Sequence, residues 1–182
     1  MEYDRLYKLY FDPIKKYLTL YCGEEYAEEL AQEVFLKVAR NLGSFRGEAS
    51  YKTWVYSIAS NQAKDYLKSR YKKESDLISE EDLEKYDILH FDESSPEALK
   101  LTDEMNDCIK EFILRLPHKY STVLLLGELQ GLSIREISDV LSSTPSSIKV
   151  RLHRARSKLK TEMTLGCNIT ATCDNRVRCE RK

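Results

Sequence analysis

"LSIREISDVLSSTPSSIKVRLHRARSKLK", residues 132–160, holds two short apolar-periodic segments separated by a break at Ser142–Ser143. Ser133 and Glu136 stand three apart, the spacing of a capping box, so the first helix starts at a defined point and runs through Ile134, Ile137, Val140 and Leu141. Thr144 can cap the second helix and Pro145 suits its first turn, after which Ile148, Leu152, Ala155 and Leu159 mark one inward face. Lys149, Arg151, Arg154 and Arg156 fall on the outward face, and no carboxylate occurs between residues 144 and 160. This spacing predicts a helix-turn-helix, whose second helix enters a major groove while its cations meet phosphates and base edges. A merely solvated cationic face at a helix C-terminus is the blander reading. The capped start, the turn length and the absence of a balancing acid all weigh against it.

So basic a helix sits on a nearly neutral chain. The 182 residues carry 29 Lys and Arg against 30 Asp and Glu, a net charge of -1, with an isoelectric point near 6.3. Nonspecific DNA affinity comes from net phosphate neutralisation, so the composition argues against a strong free-standing DNA binder and for a partner that delivers the helix. With 42% hydrophobic and 32% charged residues the chain reads as globular. Its longest apolar run, Val123–Leu126, is too short to span a bilayer, and "MEYDRLYKLYFDPIKK" offers no apolar signal core. A cytoplasmic protein with no membrane insertion is the expectation. Five cysteines, an odd number, then argue for reduced thiols or metal ligands rather than a disulfide framework.

Working outward, apolar residues keep a helical period almost throughout. One stripe runs through Leu6, Leu9, Tyr10, Ile14, Tyr17, Leu18 and Tyr21, and a second through Ala27, Leu30, Ala31, Val34, Phe35 and Val38 after the break at Cys22–Gly23. A third follows the loop "NLGSFRGEAS" with Trp54, Val55, Ile58, Ala59, Ala63, Tyr66 and Leu67. From Glu74 the chain turns acidic, as a solvated linker does. "SSPEALK" restarts the helical pattern, with Ser95 as N-cap and Pro96 in the first turn. No alternating strand pattern is evident. The prediction is all-α: a helical bundle over residues 1–73, an acidic flexible linker over 74–95, a second small helical domain over 96–163, and a cysteine-containing tail over 164–182.

Two stretches in this order carry a family resemblance. "GLSIREISDVLSSTPSSIKVRLHRARSKLK" resembles region four of the extracytoplasmic-function (ECF) sigma factors, which reads the promoter minus-thirty-five element. "EYAEELAQEVFLKVARNLGSFRGEASYKTWVYSIASNQAKDYLKSRYKK" resembles their region two. The resemblance implies a transcription initiation factor of the sigma-70 family that binds core RNA polymerase, at the beta-prime clamp and the beta flap, and promoter DNA. It also implies that an anti-sigma factor can restrain it. On the resemblance, Glu28, Glu29, Gln32, Glu33 and Phe35 are candidates for the polymerase-docking face, a carboxylate-rich surface suited to a basic partner. Phe45, Arg46, Trp54 and Asn61 are candidates for capturing the minus-ten element, with Lys64, Lys68 and Arg70 on its phosphates. Thr144, Ser146, Ser147, Lys149, Val150, Arg151, His153 and Arg154 are candidates for reading the minus-thirty-five element. Trp54 also fits the third apolar stripe, so core packing competes for it. The chain departs from the family pattern in several places. Ser57 and Ser60 stand where arginines are common, Ser142 occupies the usual turn glycine, and Val150, in place of a small polar residue, suits a thymine methyl.

Cys167, Cys173 and Cys179 recur every six residues in the tail. No cofactor is required by this reading, but three thiolates suit zinc or copper, with His153 or an exogenous ligand as a fourth. A disordered, reduced tail is the alternative. The rival function is a stand-alone helix-turn-helix regulator, which would bind a palindrome without polymerase. No paired-carboxylate, Ser/His/Asp or phosphate-cradling glycine motif is present, and the chain is read as a non-enzyme.

Overall fold

The structure is a computed structural model and describes residues 2–74, 104–171 and 177–181. Three helices form the N-terminal domain: α1 (Glu2–Cys22), α2 (Glu24–Asn41) and α3 (Tyr51–Glu74). Gly23, at φ 77°, makes the sharp corner between α1 and α2, a left-handed conformation that glycine adopts without steric cost. A single 3₁₀ turn, Leu42–Ser44, leads toward α3. The Ser50 hydroxyl accepts from the Thr53 N–H at 3.1 Å and so caps the first turn of α3. The three predicted stripes meet in one core: Leu6, Ile14, Tyr17 and Leu18 from α1, Ala27, Ala31, Val34 and Phe35 from α2, and Val55, Tyr56, Ala59 and Ala63 from α3.

The C-terminal domain comprises α4 (Glu104–Leu114), α5 (His118–Leu124), α6 (Ile134–Val140) and α7 (Pro145–Gly166). Pro117 stops α4 and opens α5, and Val123, Leu124, Leu125 and Leu126 are all essentially inaccessible. After α5 the chain widens into a π turn over Leu125–Leu129, closed by a Gln130 N–H donating to the Leu125 carbonyl at 3.0 Å. Gly131, at φ 64°, reverses the chain before α6. The predicted capping box is present: the Ser133 hydroxyl accepts from the Glu136 N–H, and the Glu136 carboxylate accepts from the Ser133 N–H at 2.8 Å. Thr144 caps α7 through a 3.2 Å bond from the Ser147 N–H. Ile148, Leu152 and Ala155 face inward as their spacing requires. The positions around Ser95 and Pro96 and the acidic stretch lie outside the described residues.

The tail differs from the expectation. Residues Cys167–Ala171 (β1) and Val177–Arg181 (β2) pair as an antiparallel hairpin, with Cys167 opposite Arg181 and Ile169 opposite Cys179. This hairpin corrects the expectation of no strand, and "CNITA" and "VRCER" carry its pattern in apolar and polar residues that alternate with period two. Gly166 joins α7 to this hairpin at a point where a Cβ would fall 2.7 Å from the Phe112 ring, so a larger residue there requires that ring to shift as α7 passes α4. No described helix is long and apolar enough to cross a membrane.

Candidate nucleic-acid interface and partner face

The two domains lie against each other, and their apolar residues belong to one cluster. Thr144, Ser146, Lys149, Val150, His153 and Arg154 are exposed on α7, with Ser147 and Arg151 half-buried beside them. Val150 is 49% exposed, an apolar side chain held outward amid cations. Ser142 keeps the left-handed turn that a glycine would occupy easily, at φ 47°, so the turn geometry survives the substitution at a steric cost. One acid does balance the basic helix. Glu128, on the π turn, accepts from Arg156 Nε at 3.1 Å and Nη2 at 2.6 Å, correcting the expectation of an uncompensated face. This pair is exposed and leaves the earlier cations of α7 to other partners.

Sequence reasoning missed two residues of this surface. Lys119 and Tyr120 on α5 line the same shallow groove, about 380 Å³, as Ser146, Val150, Arg151 and Arg154. Lys119 and Lys158 both lie over the Tyr120 ring, 5.6 and 5.7 Å from its centroid. Nothing local marks these residues, because tertiary packing alone sets the start of α5 beside the recognition helix.

On α3, Asn61, Lys64 and Arg70 are exposed and Lys68 is half-buried, as phosphate-facing positions should be. Phe45 stacks on Tyr51 at 4.5 Å and tilts against Trp54 at 4.9 Å, forming a half-buried aromatic platform at the mouth of the loop before α3, with Arg46 exposed beside it. Trp54 thus packs against the core with one side and against this platform with the other. Ser60 is a different matter. It is buried, bonded to the Tyr17 hydroxyl at 2.9 Å, so its lack of charge does not thin a surface. Ser57 likewise donates to the Trp54 carbonyl at 2.7 Å.

The acidic face of α2 is more selective than its sequence. Glu29, Gln32 and Glu33 are exposed, and Glu28 is paired with Lys15 at 2.6 Å in solvent. Glu33 accepts from Gln62 on α3, which in turn accepts from Lys37, so this carboxylate is fixed in place. Phe35 is the correction. It is 1% exposed and packs among Tyr3, Tyr7 and Phe11, so its ring belongs to the core and cannot be offered to a partner. Leu36, the next residue, is 55% exposed instead. Its signal was present as an apolar residue off the buried stripe.

Among the described residues no group of three metal-ligating side chains converges. Cys22 is buried, its thiol donating to the Leu18 carbonyl at 3.1 Å, and burial pushes it up to about 12, which makes it an inert core residue. Cys173 and the side chains of Cys108, Cys167 and Cys179 lie outside the described residues.

Comparisons with known proteins match this geometry. Residues 6–73 match the family Sigma-70 region 2, and residues 106–159 match Sigma-70, region 4. The chain is 32% identical over 165 residues to the ECF RNA polymerase sigma-E factor of Haemophilus influenzae, spanning 88% of this chain and 87% of the relative. It is 33% identical over 172 residues to the RNA polymerase sigma factor SigZ of Bacillus subtilis, spanning 94% and 92%. Among solved structures, the sigma factor RpoE in complex with the anti-sigma factor NepR from Bartonella quintana shares the fold. Its TM-score is 0.65 at 20% identity, over 90% of this chain and 98% of that one. The structure of CnrH in complex with the cytosolic domain of CnrY gives 0.63 at 15% identity, over 90% and 88%.

Proposed function

The chain belongs to the sigma-70 family as an ECF-type RNA polymerase sigma factor, and from that premise we propose how its surfaces divide the work of initiation. Glu28, Glu29, Gln32, Glu33 and the exposed Leu36 of α2 form the docking face for the polymerase clamp. There an apolar anchor sits within a carboxylate rim. The Phe45–Tyr51–Trp54 platform, with Arg46 and Asn61, stacks on an unpaired base of the minus-ten element, and Lys64, Lys68 and Arg70 follow the backbone. Thr144, Ser146, Ser147, Lys149, Val150, Arg151, His153 and Arg154, joined by Lys119 and Tyr120, meet the minus-thirty-five element in the major groove. The beta flap of the polymerase meets the C-terminal domain. The factor works by binding rather than by covalent chemistry, in the cytoplasm, and an anti-sigma protein that grips both domains is a fitting restraint. The observation that carries this reading is the pairing of two DNA-facing surfaces, one on each domain, with a separate acidic face on α2. A stand-alone regulator leaves the region 2 match without a use.

The tail adds a metal-responsive element to this proposal. In the backbone register Cys167 pairs with Arg181 and Cys179 with Ile169, so the two cysteines stand at positions offset by two residues. Such diagonal positions have Cα atoms roughly 7–8 Å apart, beyond ordinary disulfide reach, so the pair suits a shared zinc or copper ion better than a direct bond. Run-off transcription with core polymerase and a promoter library tests both parts, comparing the full chain with one ending at Gly166 in zinc, copper or chelator. Initiation from a two-element promoter is expected, with metal dependence only when the tail is present. No initiation from any promoter overturns the assignment of surfaces, and metal-indifferent initiation overturns the role of the tail.

A further inference from the structure

Among the described residues, three polar side chains of the N-terminal domain are buried: Thr53, Ser60 and Gln62. Thr53 meets the Ser50 hydroxyl at 2.8 Å at the start of α3, and Ser60 meets Tyr17 at 2.9 Å inside the core. Both serve their immediate surroundings. Gln62, 7% exposed, instead turns its amide toward two charged residues of α2. Its Nε2 donates to Glu33 Oε2, and its Oε1 accepts from Lys37 Nζ. An apolar side chain of the same volume would fill the seam between α3 and α2 without a polar group to satisfy, so packing alone does not account for an amide here.

Glu33 and Lys37 stand one turn apart on α2, in the order and at the spacing that favour a direct pair between carboxylate and amine. Paired in that way they would neutralise each other, and the carboxylate would be occupied by its own helix. The amide between them offers each a different partner. It carries both a donor and an acceptor, so it satisfies two opposite charges while remaining neutral. A glutamate in its place would repel Glu33, and a lysine would repel Lys37. Glu33 is exposed and gives one oxygen to Gln62, which leaves the second to a donor from outside. Glu29 and Leu36 lie exposed on the same helix. Helical rotation of about 100° per residue turns the preceding residue, Asn61, away from this seam and into solvent.

We infer that Gln62 is a positioning residue for polymerase docking: from α3 it holds Glu33 and Lys37 of α2 in one arrangement, so that Glu33 meets a basic group of core polymerase already ordered. The inference rests on the assignment of the α2 face to polymerase, and it makes α3 a second contributor to that face. Glutamate and lysine have much rotamer freedom to lose, so ordering them before contact lowers the cost of docking. One helix thereby serves two surfaces, with Asn61 toward the minus-ten element and Gln62 toward the polymerase.

The test uses the full chain with core polymerase. Fluorescence competition gives the affinity of the factor for core, and run-off transcription titrated with factor separates half-saturation from the rate at saturation. Gln62→Met keeps the volume and removes both hydrogen bonds, which frees Glu33 to pair with Lys37. Affinity for core is expected to fall about tenfold, with a matching rise in half-saturation and little change in the saturated rate. Gln62→Glu keeps the acceptor for Lys37 but repels Glu33, and its affinity is expected to fall at least as far. In a Glu33→Ala background, Gln62→Met should change affinity by less than about twofold, because the group it positions is gone. A general packing defect would lower affinity equally in both backgrounds, so additive losses overturn the positioning role. Wild-type affinity in both single Gln62 variants also overturns it, and if Glu33→Ala alone weakens binding, the docking face on α2 still stands. Wild-type affinity in Glu33→Ala overturns that docking face, and the role of Gln62 with it.

Discussion

The two domains solve the same packing problem with different side chains. The N-terminal core is rich in tyrosine: Tyr17, Tyr21 and Tyr56 are all buried, their rings edge-to-face at 5.1 and 5.5 Å. Tyr17 bonds to Ser60 at 2.9 Å and receives a bond from Tyr21 at 3.2 Å. The C-terminal core is aliphatic, with Leu124, Leu125, Leu126, Ile137 and Ile148 at its centre. An aliphatic core has nothing left over once it is filled. A tyrosine core keeps polar tips that must find partners, and two of these reach across the junction to Thr122 and Gln130. One domain is therefore complete in itself, while the other is completed by contact.

Breaking the aliphatic side should give the largest effect. Leu125→Ala is expected to cost about 3 kcal/mol, since truncating a fully buried leucine loses its transfer energy and leaves a cavity. Calorimetry of the full chain should then show the C-terminal domain melting ahead of the N-terminal one. A single shifted transition would mean that the domains unfold as one unit. On the tyrosine side Tyr17→Phe removes only a hydroxyl, but one with two buried partners, and should cost about 1–2 kcal/mol by urea denaturation. A loss below the error of that measurement would mean that Ser60 and Tyr21 satisfy each other without it.

The junction supplies a sharper contrast, because burial holds the tyrosines neutral by raising them and holds His118 neutral by lowering it. Desolvation, with the Lys64 charge second, lowers His118 to about 4 where the two domains meet. Released into water it returns to the usual value near 6.5. The neutral ring is thus the one compatible with contact between the domains. The stabilisation is full above about pH 6.5 and is lost as pH falls from there toward 4. Facing His118 are Tyr21 from α1, Lys64 from α3, Arg151 from α7 and Lys119 on its own helix. Between pH 7.5 and 5.5 the contact between the domains should weaken about tenfold. A His118→Gln variant whose radius of gyration keeps the same pH response would assign that response elsewhere. The smallest effect is expected in the turn of the DNA-reading motif. Ser142→Gly relieves a left-handed serine and should stabilise the C-terminal domain by about 0.5 kcal/mol, part of the relief being offset by the freedom glycine has when unfolded.

Much of this molecule is written in local pattern. The capping box at Ser133 and Glu136, the Thr144 cap, the inward row Ile148, Leu152 and Ala155, and the cationic outer face of α7 all follow from spacing alone, and all are present. The tail hairpin was legible too, in the alternation of Cys167, Ile169 and Ala171 with Asn168 and Thr170. A short strand surrounded by helical periodicity is easily passed over. Phe35 and Leu36 show the limit from the other direction. Both are apolar neighbours on α2, and although the helical period already puts Phe35 on the inward stripe and Leu36 off it, only the aromatic row of α1 closing over Phe35 decides that its ring is unavailable to a partner.

The sequence by itself determined helices, caps, turns and the sign of each face, because these depend on residues within a turn or two of one another. Only the tertiary structure decided that Tyr21 meets Thr122, 101 residues away, that Gln130 is swung by a π turn onto Tyr56, and that Lys119 joins the recognition helix. Such pairings arise from which buried faces fill each other's volume, and a one-dimensional pattern carries no record of distance through space.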